Sequence, residues 1–214
     1  MIAISSPYIL QKITPGAINW KVKTPEKKIF LTFDDGPFPD VTDNILQLLD
    51  AYNAKATFFC TGKQAQRHPV YINMIKDKGH ALGNHTFNHI SGWRNSVKNY
   101  INDINLCNDV FQSNLFRPPY GRITPGQVKA LKNRFNIIMW SETTHDYKKE
   151  KIPVKKITAL KKRITPGSIV LLHDSEKAAK NVIVILKDLL GYFSDQGCSF
   201  CNLDEVFPLP ELIK

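Results

Sequence analysis

No apolar run in this sequence approaches the roughly 20 residues that a bilayer-spanning helix requires. There is also no low-complexity segment and no linker, so the 214 residues are expected to build one substantial core. Cysteine is scarce, with Cys60, Cys107, Cys198 and Cys201 the whole set. Cys198-Ser-Phe-Cys201 has the spacing of a redox motif, but it falls in an expected strand, where residues three apart point to opposite faces. A thioredoxin-type site needs its first cysteine at a helix start, and a zinc knuckle needs a second pair. The thiols therefore read as buried and reduced, which fits a reducing compartment. Acidic residues are the scarcer charge, 19 against 29 Lys and Arg, for a formal net charge of +10. The excess crowds into Lys148–Lys151, Lys155-Lys156 and Lys161–Arg163. It reads either as a solvated helical face or as an attraction to an anionic polymer. No aromatics interleave with the basic run and no nucleic-acid module is recognisable, so no nucleic-acid partner is expected. Met1–Leu10 has no basic n-region, no sustained apolar core and no cleavage pattern. The expectation is a cytoplasmic protein, the alternative being that the natural N-terminus has been removed.

What is present is regular alternation. Strand-like apolar runs end at Phe33, Cys60, Asn84, Phe116, Trp140, Leu172 and near Cys201. Helical patterns lie between them. Val41 to Tyr52 follows Asp40, a candidate cap, and Val70 to Lys78 ends before Gly79. Ser96 to Gln112 places Val97, Tyr100, Ile101, Ile104 and Val110 on one face. Thr124-Pro125 is a helix start, and Asn181 to Tyr192 is the last long helix. Such alternation predicts an α/β fold with a parallel sheet or barrel. Ile-Thr-Pro-Gly recurs at 13, 123 and 164 at unequal intervals and reads as independent turn signals. The expected organisation is a lead-in over 1–26, one domain over 27–207 and a short tail over 208–214.

Chemistry concentrates at strand ends. Thr32-Phe-Asp-Asp-Gly-Pro37 sets two carboxylates side by side. Like charges this close repel unless a cation sits beside them, and a metal ion would hold one and leave the other free as a base. An Asp-Gly turn with Asp34 as a cap is the equal alternative on this segment alone. His85 and His89, at i and i+4, would share one face of a helix and reach one ion. Asp35, His85 and His89 then form a set with open positions, as catalytic zinc sites do. In Arg117-Pro-Pro-Tyr-Gly121 the prolines remove donors, so the Tyr120 N–H is available for a developing oxyanion, and Arg117 can keep Asp34 ionised. A rigid loop with a surface arginine is the simpler reading. Ser168–Asp174 is a buried strand ending on His173, either a hydrogen-bonded rim residue or an acid for a leaving amine.

Taken in order, Thr32–Pro37, His85–His89, Arg117–Tyr120 and Leu171-Leu-His173 resemble the motifs of the polysaccharide deacetylases (carbohydrate esterase family four, the chitooligosaccharide deacetylase homology domain). The resemblance covers about residues 27 to 207. It implies a distorted, incomplete seven-stranded (β/α) barrel of the TIM-barrel kind with its site at the C-terminal face. It further implies a metal-dependent hydrolase that removes the acetyl group from N-acetylglucosamine-type glycans. By this resemblance Asp34 is the base, Asp35, His85 and His89 hold a divalent metal with zinc the expected ion, Arg117 orients the base, and His173 is the acid.

One motif departs from the pattern. Where the family has Trp and then an acidic stretch ending in Asp-Trp or Asp-Tyr, this chain reads Trp140-Ser-Glu-Thr-Thr-His-Asp-Tyr147. Asp146 and Tyr147 match the end, but Ser141 and Thr143 stand where an earlier acid is often found. Asp146 would then partner Arg117 or His173 alone, or with help from Glu142, although that neighbouring strand position should face away. Two other functions stay open on the sequence: a metal-binding glycan-recognition protein with little turnover, and an amidohydrolase of a small non-sugar amide.

Overall fold

Strand β2 (Lys28–Asp34) is buried from Ile29 to Asp34 and pairs on both sides, with β3 (Ala56–Cys60) and β8 (Ile169–His173). Strands buried on both faces read as continuous apolar runs, which is why these three were legible without alternation. The computed structural model describes residues 16–209. The reading of Met1–Leu10, the first Ile-Thr-Pro-Gly copy up to Pro15 and the tail from Pro210 lie outside the described residues. The remaining strands are β1 (Ile18–Asn19), β4 (Ala81–Asn84), β5 (Leu115–Phe116), β6 (Asn136–Ile138), β7 (Glu142–Thr143) and β9 (Ser199–Phe200). They run parallel in the order β1-β6-β5-β4-β3-β2-β8-β7, with β9 on β2.

β6 and β7 sit far apart on that path, yet only residues 139–141 separate them in the chain. Met139 N–H donates to Asn19 O (2.8 Å) and Ser141 N–H to Ile169 O (3.0 Å), so one ribbon leaves the β5 side and reaches β8. The sheet is thereby curled into an incomplete α/β barrel. The seven apolar runs of the sequence correspond to β2, β3, β4, β5, β6, β8 and β9; β1 and β7 are two residues each, too short to show a period.

Among the described residues seven α-helices cover the sheet: α1 (Pro39–Ala51), α2 (Gly62–Arg67), α3 (Pro69–Asp77), α4 (Val97–Val110), α5 (Pro125–Leu131), α6 (Val154–Arg163) and α7 (Ala179–Ser194). None of the described helices is long and apolar enough to cross a membrane. Ile29, Leu31 and Phe33 pack outward against Ile45 and Leu49 of α1 and Leu186 and Leu190 of α7. Phe30 joins Phe59, Leu115 and Ile169 in the barrel interior. The period of two along β2 therefore turns Thr32 and Asp34 inward as well.

Two local expectations are corrected, and one helix was missed. Asp40 is not the cap of α1; Phe38 is the N-cap with no side-chain bond, because Pro39 already opens the helix. Val97 does not share the buried face of α4, which consists of Tyr100, Asp103, Ile104 and Cys107. The helix α2 was not foreseen, since its sequence carries almost no apolar signal. Thr124 behaves as expected, forming a reciprocal capping box with Gln127. All four cysteines are free thiols.

Candidate metal centre and catalytic cleft

His85 and His89 do not lie on a helix. They stand on an irregular loop after β4, with Thr86 and His89 at φ of 63° and 56°. Asp103 of α4 winds this loop tight: its Oδ2 accepts from Phe87 N (3.0 Å) and Asn88 N (2.9 Å), and its Oδ1 from Asn88 Nδ2 (2.6 Å). Asn84 Oδ1 adds a bond from Thr86 N (2.9 Å). The turn replaces the helical i, i+4 geometry with another that also brings the rings together, their centroids 5.0 Å apart. Asp103 and Asn84 escaped the sequence reading, because neither position carries a local signal.

Asp35 faces both histidines, its Oδ1 lying 3.1 Å from His89 Nε2 and 3.6 Å from His85 Nε2. One donor atom from each of the three residues falls within 4.8 Å of the others, a spacing one cation can span. The chemistry of the donors suits it. Burial holds His85 neutral, its pKa down at about 4 even with Asp34 and Asp35 near. Its Nδ1 is 2.8 Å from Arg117 O, and a carbonyl only accepts, so Nδ1 carries the proton and Nε2 keeps its lone pair for a ligand bond. Burial pushes Asp35 upward, but the His89 hydrogen bond and the neighbouring histidines hold its carboxyl below the usual range. The residues fit a divalent cation.

Asp34 lies beside this set, its Oδ2 3.8 Å from His85 Nε2. Its Oδ1 accepts from Arg117 Nη1 at 2.7 Å. Arg117 is wholly buried, which corrects the simpler reading of a surface arginine. Its guanidinium lies 4.1 Å over the Phe59 ring and also donates to Thr32 Oγ1, Ile138 O and Met139 O. With every edge engaged, Arg117 fixes one oxygen of Asp34 and leaves the other facing the cleft.

Asp34 and His173 are register partners across β2 and β8. Asp146 grips His173 twice, accepting from its backbone N and pairing with Nδ1, both at 2.7 Å. Burial pulls the His173 pKa down, but the Asp146 charge and hydrogen bond, with Asp34 and Asp35 beyond, raise it to about 9. Glu142 faces away and pairs with Arg163 at 2.7 Å, as the strand period demands. Ser141 bonds Ile169 O, Thr143 lines the cleft, and Asp146 holds His173 alone. Tyr147 stands at 81° to the His173 ring, 5.2 Å away, and forms a wall.

Tyr120 sits at φ 60° with its ring 4.7 Å from that of His89. Among the described residues, five of the six non-glycine residues at positive φ (Asp35, Thr86, His89, Tyr120 and His145, the sixth being Asn53) belong to the loops around this centre, a pattern typical of functional sites. Sequence reasoning also missed Asp174. Its carboxylate accepts from Thr42 Oγ1 (2.8 Å) and lies 2.3 Å from where a Cβ on Gly36 would fall. Only glycine fits there, so Asp174 packs the turn that presents Asp35. The whole opens into a cleft of about 710 Å³, lined also by Trp20, Phe38, Trp140 and Leu171.

The polysaccharide deacetylase family model matches residues 21–134. A peptidoglycan-N-acetylglucosamine deacetylase of Bacillus cereus is 33% identical over 199 residues, covering 89% of this chain and 93% of that protein. The chain belongs to the polysaccharide deacetylase family. The curated relatives it matches are named as deacetylases, hydrolases of carbon–nitrogen amide bonds. The peptidoglycan-N-acetylmuramic acid deacetylase PdaC of Bacillus subtilis is 34% identical over 85% of this chain, which spans 39% of that longer relative. Among solved structures, a peptidoglycan N-acetylglucosamine deacetylase in complex with a naphthyl N-hydroxybenzamide superposes with a TM-score of 0.82 at 27% identity, covering 94% of this chain and 96% of that one.

Proposed function

We propose that this protein is a divalent-metal-dependent deacetylase that hydrolyses the N-acetyl amide of N-acetylglucosamine-type poly- or oligosaccharides, peptidoglycan being the favoured glycan, and releases acetate. The observation that carries this is the convergence of a candidate cation site with a fixed carboxylate and a carboxylate-backed histidine in one cleft. Asp35, His85 and His89 would hold the ion. When bound, a divalent cation, with zinc expected, supplies Lewis acidity that polarises the acetamide carbonyl and lowers the pKa of water toward neutrality. The related enzyme's complex with an N-hydroxybenzamide, whose adjacent oxygens form a chelating pair, supports metal dependence.

Asp34 takes the proton from the attacking water on the oxygen that Arg117 leaves free. Arg117 keeps that carboxylate ionised and stationary. The Tyr120 N–H donates to the oxyanion, a contact worth about 3 kcal/mol when such donors are removed elsewhere. His173 enters protonated and gives its proton to the departing sugar amine, after which acetate leaves. The presence of both base and acid, each with its orienting partner, favours turnover over mere glycan recognition. The apolar, aromatic-lined cleft favours a sugar over a small amide.

The test is acetate release from N-acetylglucosamine oligomers by protein stripped with chelator and reloaded with zinc or cobalt. Metal-dependent release is expected. Stoichiometric metal binding without release from any acetylated sugar would overturn the reading.

A further inference from the structure

We propose that Trp93 and Arg122 form a subsite beside the reactive centre for a sugar ring that carries a carboxylate. This rests on the glycan deacetylase reading and adds which neighbouring sugar the cleft selects. Trp93 is the most exposed aromatic among the described residues, at 62%, followed by Tyr120 at 59% and Tyr147 at 44%. The latter two line the cleft. Trp93 continues that aromatic rim outward. The Arg122 guanidinium stands 5.6 Å over the Tyr120 ring and 5.1 Å over the Trp93 ring. Tyr120 in turn leans on His89 at 4.7 Å. A continuous series, His89, Tyr120, Arg122 and Trp93, thus leads away from the candidate metal ligands.

The exposed indole stands on a firmly built turn. Gly92 N–H donates to Arg122 O at 3.1 Å, and Gln127 Nε2 donates to Gly92 O (2.9 Å) and Asn95 O (3.2 Å). Gln127 is itself fully buried and locked in the capping box with Thr124. A Cβ on Gly92 would fall 2.5 Å from both Arg122 O and Gln127 Oε1, so the two segments are joined as closely as backbone permits. A large apolar ring, exposed over most of its surface on a braced backbone turn, suits stacking on a pyranose ring, because little backbone ordering is left to lose on binding.

The arginine specifies charge. None of the ion pairs among the described residues includes Arg122. Its guanidinium lies near both rings, and none of the side-chain hydrogen bonds among the described residues uses its N–H groups, which can match a carboxylate with two parallel bonds. The subsite therefore takes an N-acetylated sugar bearing an acidic substituent, of the muramic acid type, next to the sugar that is deacetylated.

The experiment uses two probes of equal length: an oligomer of N-acetylglucosamine alone, and one alternating N-acetylglucosamine with N-acetylmuramic acid whose lactyl carboxylates are free. Each is titrated calorimetrically into zinc-loaded Asp34→Asn protein and into its Arg122→Gln, Arg122→Lys and Trp93→Ala derivatives. The acidic probe is expected to bind more tightly at low salt, and Arg122→Gln to weaken it about tenfold while moving the neutral probe by less than about twofold. Arg122→Lys keeps part of the preference, and Trp93→Ala weakens both probes. Equal loss for both probes in Arg122→Gln, or none, overturns the subsite; the Arg122 carbonyl that holds Gly92 is untouched, and unchanged thermal melting confirms an intact fold. Acetate release by the wild-type enzyme is read separately. Discrimination without release overturns the deacetylase reading alone, and release without discrimination overturns the subsite alone.

Discussion

Asp34 and His173 stand directly opposite one another at the ends of adjacent parallel strands, and each is held from behind by a residue of opposite charge. The Arg117–Asp34 bond and the Asp146–His173 bond are both 2.7 Å. The arrangement keeps one group anionic and the other cationic across a cleft, as a base and an acid must be before a hydrolysis begins.

Replacing Asp34 by Asn removes the proton acceptor and keeps the shape. Acetate release should fall by about a hundredfold or more. Zinc stoichiometry, measured by calorimetry on the same protein, should stay at one. A variant that keeps most of its activity would place the base elsewhere.

His85→Ala and His89→Ala each remove a donor from a set of three. Neither variant should retain stoichiometric zinc after dialysis, and neither should release acetate. Asp103→Ala tests the support of that set, since three hydrogen bonds to the His85–His89 loop disappear with the ligands intact. A loss of about ten- to a hundredfold in metal affinity is expected for such a supporting residue. Unchanged affinity would mean that the loop holds its shape by other contacts.

The pH dependence has a defined sign. The His173 pKa is raised from 6.5 to about 9, so its protonated form persists through neutrality and is lost as pH rises through that value. Its pairing with Asp146 contributes stability that is fully present below 6.5 and gone above the folded value. The alkaline limb of kcat/KM should report this loss. A cation bound at Asp35 offsets one of the carboxylates that raise His173, so the limb of the loaded enzyme falls below 9. Asp146→Asn should move the limb further toward neutrality, and a limb that does not move would remove His173 from the acid role.

Arg117→Met leaves Asp34 buried without its counter-charge. A loss of about 3–5 kcal/mol in unfolding free energy is expected from breaking one side of a buried pair. Acetate release should fall as well, because the base is no longer held in place. Denaturant melts and acetate release by the folded protein check the two effects independently.

Much of this was legible in the chain. The buried strands β2, β3 and β8 announce themselves as apolar runs, and the candidate site residues lie at the C-terminal ends of β2, β4, β5, β7 and β8, where a parallel barrel collects its loops. Asp34, Asp35, His85, His89, Arg117 and His173 could be picked out because chemistry-bearing residues at strand ends leave a local pattern, whereas Asp146 was reached only through the family resemblance. Their convergence, by contrast, depends on ladder register and on the ribbon formed by β6 and β7. The two-residue strands β1 and β7 leave no periodic trace, yet they set how the sheet curls.

The sequence by itself determined which side chains could do chemistry and on which strands they ride, because burial and period are written in runs of neighbouring residues. Only the tertiary structure decided how they are held. Arg117 became a wholly buried clamp, not a surface charge, because Phe59, Thr32 and two distant carbonyls close around it. His85 and His89 met through a strained turn braced by Asp103, not along a helix. Trp93 and Arg122, 29 positions apart, joined through one glycine hydrogen bond and the reach of Gln127. Contacts of this range depend on which backbones approach one another, and no local stretch of sequence encodes that.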